Sequence, residues 1–538
     1  MTLTAKIEDG IVYSPYPEMK KPDNISAYEY MEECMQKHGR KNAIIDEKVH
    51  LNYPDFLRDM QRYAVGYQSL GVKQGERVCL HVPVTVTAML AAYGALAAGA
   101  VVVLAKTTLT DKELLYILET SRVLFVVTDG KNAQKVRNIT SQLSLKLKGL
   151  FAVEDSVKGF YSVWNFQNLS ETSFKKCVIQ DTKTTTAVLT YTSGTTGLPK
   201  AANISHYALI SSIEVMGVAK AFTKDDTLLT WSPITHISGF IFCFASLCYG
   251  TTIVIGKSGM PPADFIRVVN AHKVTSACVF PTAFQKMVSE LERLKVKLPS
   301  LKKLVISGTV LTAALRERIL KEFELHTLQN AFGLSEASGW ICVTPPGEII
   351  QGNTVGYPVS SGKCKVVDAN TNKKLKANEK GEIMFHGNNM MTSYDGNPEA
   401  TAAAFDEEGY LRTGDMGYYD DHGRFYVLDR IKDMIKCMDN QIATGEIVNL
   451  LLTHSAVEEA AVVGVPHPDY GEAPTAFIVL KANHADPEEV VAEELKKLVK
   501  DNLAIYKQLY GGVVFLDALP KTDSGKYRCV ELRKMLIP

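Results

Sequence analysis

From residue 43 onward, short apolar runs bounded by turn residues alternate with stretches whose apolar positions recur at helical spacing. AIIDE (43–47), RVCLHV (77–82), VVVLA (101–105) and LFVVTD (124–129) have the length and β-branched content of buried strands. DKELLYILETS (111–121) between them reads as an amphipathic helix. The same alternation returns in TTIVIGK (251–257), ADFIRVVNAHK (263–273), SACVF (276–280) and KKLVISG (302–308), which predicts a second sheet built on the plan of the first. Near Gly356 the texture changes to short strands and turns, and KVVDANTNKKL (365–375) and GEIMFHG (381–387) read as hairpin segments of a smaller β unit. After Arg430 a further block follows, with helices expected over 446–456 and 485–503 and strands over 459–465 and 473–481. The expected architecture is therefore α/β: a large N-terminal domain (1–430) of two related lobes plus a small β unit, and a small α+β C-terminal domain (431–538), with the boundary at 429–432.

One run tests this reading. Residues 82–104, VPVTVTAMLAAYGALAAGAVVVL, are long and apolar enough for a membrane span. Pro83, Gly94 and Gly99 divide it, so we expect a buried small-residue helix followed by a strand at 101–104, and no transmembrane segment.

Composition narrows the function. The 538 residues are 46% hydrophobic and 22% charged, the balance of an ordinary globular protein. Lys plus Arg and Asp plus Glu are both 59, so no net field favours nucleic acid or an anionic membrane, and any anion must be bound locally. The ten cysteines show no CxxC pair and no metal-ligand spacing to histidine, and are expected to be reduced thiols. The first 21 residues lack the apolar core of a signal peptide and the last four, MLIP, are not a Ser-Lys-Leu address, so a cytoplasmic protein is expected.

The strongest local signal is YTSGTTGLPK (191–200), directly after the strand-like TAVLT (186–190). Gly194 and Gly197 let backbone N–H groups turn inward, Thr192, Ser193, Thr195 and Thr196 add hydroxyls, and Lys200 adds charge, as a polyphosphate requires. Lys200 stands three residues past Gly197 rather than beside it, so the Walker pattern fails. A Ser/Thr/Gly loop by itself is often only an exposed turn. The full string, however, resembles the signature loop of the adenylate-forming superfamily, which includes acyl-CoA synthetases, 4-coumarate–CoA ligases, firefly luciferase and the adenylation domains of peptide synthetases.

Further strings carry the resemblance in order along nearly the whole chain. PITHISG (233–239) is similar to the family segment whose histidine, here His236, lies beside the acyl pocket and the α-phosphate. Ser307 and Gly308 open SGTV (307–310), similar to the segment lining the adenine and acyl sites. NAFGLSE (330–336) resembles the adenine-binding turn: the resemblance implies that Phe332 stacks on adenine, Asn330 and Ala331 contact its edge, Gly333 and Leu334 continue the turn, Ser335 bonds the α-phosphate and Glu336 holds Mg²⁺. YLRTGDMG (410–417) and the Asp429–Arg430 pair imply Asp415 and Arg430 as ribose ligands, with Lys432 at the hinge. LPKTDSGKYR (519–528) resembles the last motif and makes Lys526 the catalytic lysine of a mobile C-terminal domain.

Together these imply activation of a carboxylic acid by ATP and Mg²⁺. The acid attacks the α-phosphorus, with His236, Lys200, Ser335 and Lys526 positioning groups and neutralising charge. Coenzyme A is the expected acceptor, reached when the small domain swings. Phe, Ile, Trp and Cys around 237–247, 307–311 and 337–342 imply an apolar acid, fatty or aryl.

The sequence departs from the ligases on the second face. They commonly read IKYKGxQVxPxE, whereas this chain reads IKCMDNQIATGE (435–446): Lys436 matches, while Cys437, Met438, Asp439 and Thr444 replace Tyr, Lys, Gly and Pro. Three readings follow: an acyl-CoA ligase with a variant second face, an adenylating enzyme with another acceptor (a luciferase-like oxygenase included), or a non-catalytic nucleotide or acyl-adenylate sensor.

Overall fold

The computed structural model describes residues 3–22, 24–47, 49–192, 199–257, 259–350, 352–438, 440–482, 484–522 and 525–536. Ser193, Gly194, Thr195, Thr196, Gly197 and Asp439 lie outside the described residues.

Buried parallel strands need cover on both faces, and the chain provides it by packing two large sheets over shared helices. The eight-stranded sheet carries, in spatial order, Ser393–Tyr394, Lys200–Ser205, Thr186–Thr192, Val101–Leu104, Arg77–His81, Phe125–Thr128, Gly149–Ala152 and Tyr161–Ser162. It is parallel from Thr186–Thr192 onward, and the first two strands are added antiparallel. The nine-stranded sheet is parallel through Thr327–Leu334, Lys303–Ser307, Ser276–Val279, Thr227–Thr230 and Thr252–Ile255.

The helices Val86–Ala97, His206–Val218 and Ile237–Cys248 are buried almost throughout and share one core with residues of both sheets. This explains the membrane-like run at 82–104. It forms a 12-residue helix capped by the Thr85 side chain, which accepts from the Ala88 amide, and then the strand Val101–Leu104. Gly94 permits the close approach of the helix Tyr53–Ser69, since a Cβ there would lie 2.5 Å from that of Tyr63. Among the described residues no helix is long and apolar enough to cross a membrane.

Two placements differ from the reading of the sequence. The run at 43–47 does not join its neighbours in the first sheet: Asn42–Ile45 pairs parallel with Thr252–Ile255 in the second. Near-neighbours in sequence are thus parted, because an apolar run states that a strand is buried and not beside which partner. The six-stranded antiparallel sheet that follows Gly356 is completed by two strands from the far N-terminus, Ile7–Glu8 and Ile11–Tyr13, through the pairing of Lys363 with Tyr13.

The strand Phe425–Arg430 closes that sheet, and the next, Ile435–Cys437, belongs to a five-stranded sheet of the C-terminal segment. Alternation along Val457–His467 puts Ala460 and Val462 against Ile447, Leu451, Val491 and Leu495 of two helices. Ala461 and Val463 face the other way, toward Leu519 and Leu532.

Candidate active site

A cavity of about 350 Å³ opens where strands of both sheets end. Thr192 closes Thr186–Thr192, Lys106 follows Val101–Leu104, Ser307 closes Lys303–Ser307, and residues 333–336 end Thr327–Leu334, so all four approach from carboxyl ends. Open α/β sheets place ligands in this crevice, since loops there are free to differ while the strands hold them. His236 enters from the start of the helix Ile237–Cys248, and Arg430, Lys432 and Lys526 from the C-terminal side.

His236 is the N-cap of its helix. Its Nδ1 accepts from the Ser238 amide at 3.3 Å and lies 2.7 Å from Ser238 Oγ. An amide can only donate, so the neutral ring carries its proton on Nε2. Burial, with Lys106 and Lys526 nearby, holds its pKa well below the ordinary histidine value, so the ring is a neutral donor at physiological pH.

Lys526 stands between Arg430, Asp415, Lys106 and Glu336. Although the residue as a whole reaches solvent, protein packed about its amine desolvates it, and this, reinforced by Arg430 and opposed by Asp415, lowers its pKa to about 8. Its backbone is held by a turn in which the Lys526 amide donates to Thr522 Oγ1 at 3.1 Å and the Thr522 amide to the Lys526 carbonyl at 2.8 Å.

Asp415 is buried behind Arg430 and is its direct partner across the strands Leu411–Tyr419 and Phe425–Arg430, with Arg430 Nε 3.3 Å from Asp415 Oδ1. Burial raises its pKa to about 6 against the pull of Arg430 and Lys526, which leaves an ionised, hydrogen-bond-accepting carboxylate at neutral pH. Ser335 and Glu336 sit in the 3₁₀ turn Ser335–Ala337. Asn389 braces that turn by donating to the carbonyls of Ala337 at 2.7 Å and Trp340 at 3.0 Å.

Other candidates lie off the cavity wall. Asn330 is buried, and its carboxamide donates to the Thr354 carbonyl at 3.0 Å. Ala331 is buried and Phe332 packs partly against the core, so the structure brings Gly333 to Glu336 into the cavity but leaves the first three residues of that motif on the strand behind it. Lys200 begins the strand Lys200–Ser205 and holds its ammonium 5.3 Å from the centroid of Tyr394. Lys436 is exposed on the strand Ile435–Cys437, away from the cavity.

Sequence reading missed Lys106, Phe280 and Tyr394. Lys106 carried one readable signal, a cation just past the end of a buried strand. Phe280 fills the space beside Gly308, where a Cβ would lie 2.4 Å from its ring. Tyr394 donates to Glu336 Oε1 at 2.9 Å. One side of the cavity is walled by the apolar Ile237, Ile241, Phe242 and Trp340, with the last two rings 6.0 Å apart.

A larger cleft, of about 1200 Å³, lies between the helices Pro281–Leu294 and Ala313–Glu322 and the C-terminal sheet. Its walls hold the ion pairs Arg318 with Glu292 and Lys297 with Glu322, but none of the residues singled out from the sequence lines it, so size does not select it over the smaller cavity. Among the described residues no group of three or more His, Cys, Asp or Glu side chains is arranged to hold a metal ion. Glu336 accepts the Tyr394 hydroxyl on Oε1 at 2.9 Å. A single carboxylate suits Mg²⁺ carried in on phosphates rather than an all-protein cage.

Residues 31–395 match the family model described as AMP-binding enzyme, and residues 446–526 match the AMP-binding enzyme C-terminal domain. The chain belongs to the AMP-binding, adenylate-forming enzymes. It is similar to 4-coumarate-CoA ligase 1 of Narcissus pseudonarcissus, with 28% identity covering 98% of this chain and 97% of that protein. It is 29% identical to Luciferin 4-monooxygenase of Photinus pyralis over 91% of this chain and 90% of the other. Among solved structures, an ATP-bound RpMatB-BxBclM chimera superposes with a TM-score of 0.84 at 26% identity, over 95% of this chain and 99% of that one. In this adenylate-forming enzyme, the cavity joins the N-terminal match to the last residue of the C-terminal one, because Glu336 and Lys526 both line it.

Proposed function

We propose that the protein activates an apolar carboxylic acid with Mg-ATP and passes the acyl group to coenzyme A, yielding acyl-CoA, AMP and pyrophosphate. The observation that carries this reading is the convergence of Lys526, from the C-terminal segment, with His236, Ser335 and Glu336 in one cavity.

A carboxylate is a poor acyl donor because its leaving group would be oxide. Attack of a carboxylate oxygen on the α-phosphorus of ATP installs AMP in its place and expels pyrophosphate. Negative charge then gathers on the α-phosphate oxygens, where His236 Nε2–H, the Ser335 hydroxyl and the Lys526 ammonium would donate. Asp415 and Arg430 suit the ribose, since a carboxylate accepts from two vicinal hydroxyls at once. Glu336 would hold Mg²⁺, which supplies charge neutralisation for the phosphates. Ile237, Ile241, Phe242 and Trp340 bring no charge to the acyl end, which supports an apolar acid.

For the second half-reaction Lys526 must leave and a thiol must enter. We assign the hinge to 429–432, where the chain passes from the six-stranded to the five-stranded sheet. A second reading, transfer to an acceptor other than coenzyme A, is favoured by the hairpin after that hinge. Cys437 is buried with its thiol pKa raised by that burial, and Met438 holds a left-handed backbone at φ 50°, where the resembled ligases carry tyrosine and lysine.

The test is pyrophosphate release from ATP with a panel of fatty and aryl acids, with and without coenzyme A, followed by mass spectrometry of the products. Acyl-CoA is the expected product, accumulation of acyl-AMP alone would support the second reading, and no pyrophosphate with any acid would make the protein a sensor. Lys526→Ala should cut pyrophosphate release by about a hundredfold or more while largely sparing ATP binding.

A further inference from the structure

Residues 391–395 belong to none of the strings that pointed to the site, yet each of them is tied to Glu336 or to the strand Lys200–Ser205. The Met391 amide donates to the Glu336 carbonyl at 2.6 Å and the Thr392 amide to the Asn203 carbonyl at 2.9 Å. Ser393 Oγ accepts from the Asn203 carboxamide at 3.0 Å, and Tyr394 pairs across the strands with Ala202. Asp395 is gripped by Arg77 through two bonds, of 2.7 and 2.9 Å, and its amide donates to the Ala201 carbonyl at 2.8 Å. Thr401 Oγ1 accepts the Tyr394 amide at 3.0 Å.

The side chain held by this framework reaches three groups of the phosphate end. Its phenol donates to Glu336 Oε1 at 2.9 Å, the Thr192 side chain interacts with the same phenol, and the Lys200 ammonium lies 5.3 Å from its ring centroid. We infer that Tyr394 is a positioning residue for the phosphate end of the site: its hydroxyl fixes the Glu336 carboxylate and its ring face seats Lys200.

The physical argument has two parts. A glutamate at the end of a short turn can rotate about its terminal bond, and a hydrogen bond to one oxygen removes that freedom and leaves the other oxygen to face a cation. A lysine on a flexible stem gains a fixed station over an aromatic ring without losing its charge, so it stays available to an anion.

This inference rests on the assignment of Glu336 and Lys200 to Mg-ATP, and the test separates the two. Tyr394→Phe keeps the ring and removes the hydroxyl, whereas Tyr394→Leu removes both. Two readouts are taken on the full chain: the Mg²⁺ concentration for half-maximal pyrophosphate release, and Mn²⁺ binding to the enzyme–ATP complex by electron paramagnetic resonance with no acid present. For Tyr394→Phe we expect the Mg²⁺ requirement to rise, and Mn²⁺ affinity to fall, by about tenfold with the acid KM unchanged. Tyr394→Leu should add a several-fold rise in the ATP KM. Tyr394→Phe matching the parent in both metal readouts would overturn the inference, as would a uniform loss of all parameters together with a lowered melting temperature. If the parent itself releases no pyrophosphate with any acid, the proposed function fails while the Mn²⁺ measurement still decides the role of Tyr394.

Discussion

The charge of Lys526 ties the first half-reaction to pH. An ordinary lysine, near 10.5, is charged across the physiological range, but desolvation brings this one to about 8. Its cation is present below that value and lost as pH rises through it. Because kcat/KM reports ionisations of the free enzyme, we expect kcat/KM for pyrophosphate release to fall above pH 8. His236 is already neutral and adds no break of its own, so the acid-side limb should be that of Asp415, with kcat/KM falling as pH drops through about 6. Arginine stays charged at any accessible pH, so Lys526→Arg should move the alkaline limb upward even if its absolute rate is lower. An unchanged break near 8 in that variant would assign the limb to another group. Lys526, His236, Ser335 and Glu336 each sit in a contiguous string with its own flanks, and that is why the sequence could nominate them. Tyr394 could not be nominated that way: its place beside Glu336 depends on the pairing of Ala202 with Tyr394, 192 positions apart in the chain. Phe332 and Asn330 show the converse, since a string names neighbours on a strand without saying which of them turns toward the cavity.

At the scale of elements, one departure from the ligase pattern acquires a structural meaning. Where those ligases have proline, Thr444 donates both its amide and its hydroxyl to Asp429 Oδ2, at 2.7 and 2.6 Å. Asp429 opens the proposed hinge and Thr444 lies beyond it, so this pair of bonds favours the arrangement in which Lys526 occupies the cavity. Thr444 is the first residue of the helix Thr444–Leu451, a position that tolerates proline because its amide has no partner within the helix. Thr444→Pro should therefore spare the helix and remove both bonds, while Thr444→Ala removes one. With about 1 kcal/mol per bond, we expect rapid-quench assays to show pyrophosphate formation slowed and acyl transfer accelerated, each by roughly five- to tenfold in Thr444→Pro and less in Thr444→Ala. Equal partition in all three proteins would remove any role for this contact in domain alternation. The helix was readable from its period, with its start placed at 446 rather than 444, but its contact with Asp429 was not. Sheet membership was likewise out of reach for 42–45, and for the N-terminal strands that complete the six-stranded sheet, because alternation specifies a buried face and leaves the partner open.

For the molecule as a whole, the alternation of strand and helix foretold two α/β sheets, a β unit and a C-terminal α+β segment, since each needs only local periodicity. How the C-terminal segment sits on the rest needs contacts between distant residues. Besides Thr444 with Asp429, Gln285 Nε2 donates to the Glu458 carbonyl, and Ser289 Oγ bonds Glu458 Oε1 at 2.7 Å. Among the described residues these contacts are polar, the kind that the proposed separation of the two units requires. The cavity that holds Lys526 would have to receive the acceptor thiol as well, and both cannot occupy it together. Joining the two units across Gln285 and Glu458 should therefore divide the reaction. In the Gln285→Cys, Glu458→Cys variant treated with a short thiol-reactive crosslinker, we expect one equivalent each of pyrophosphate and enzyme-bound acyl-AMP per active site, and no acyl-CoA. The parent, whose ten cysteines are unpaired, treated in the same way, controls for reaction elsewhere. Sustained acyl-CoA formation by the crosslinked protein would mean that transfer proceeds without withdrawal of the C-terminal segment, and the two-state use of this cavity would have to be abandoned.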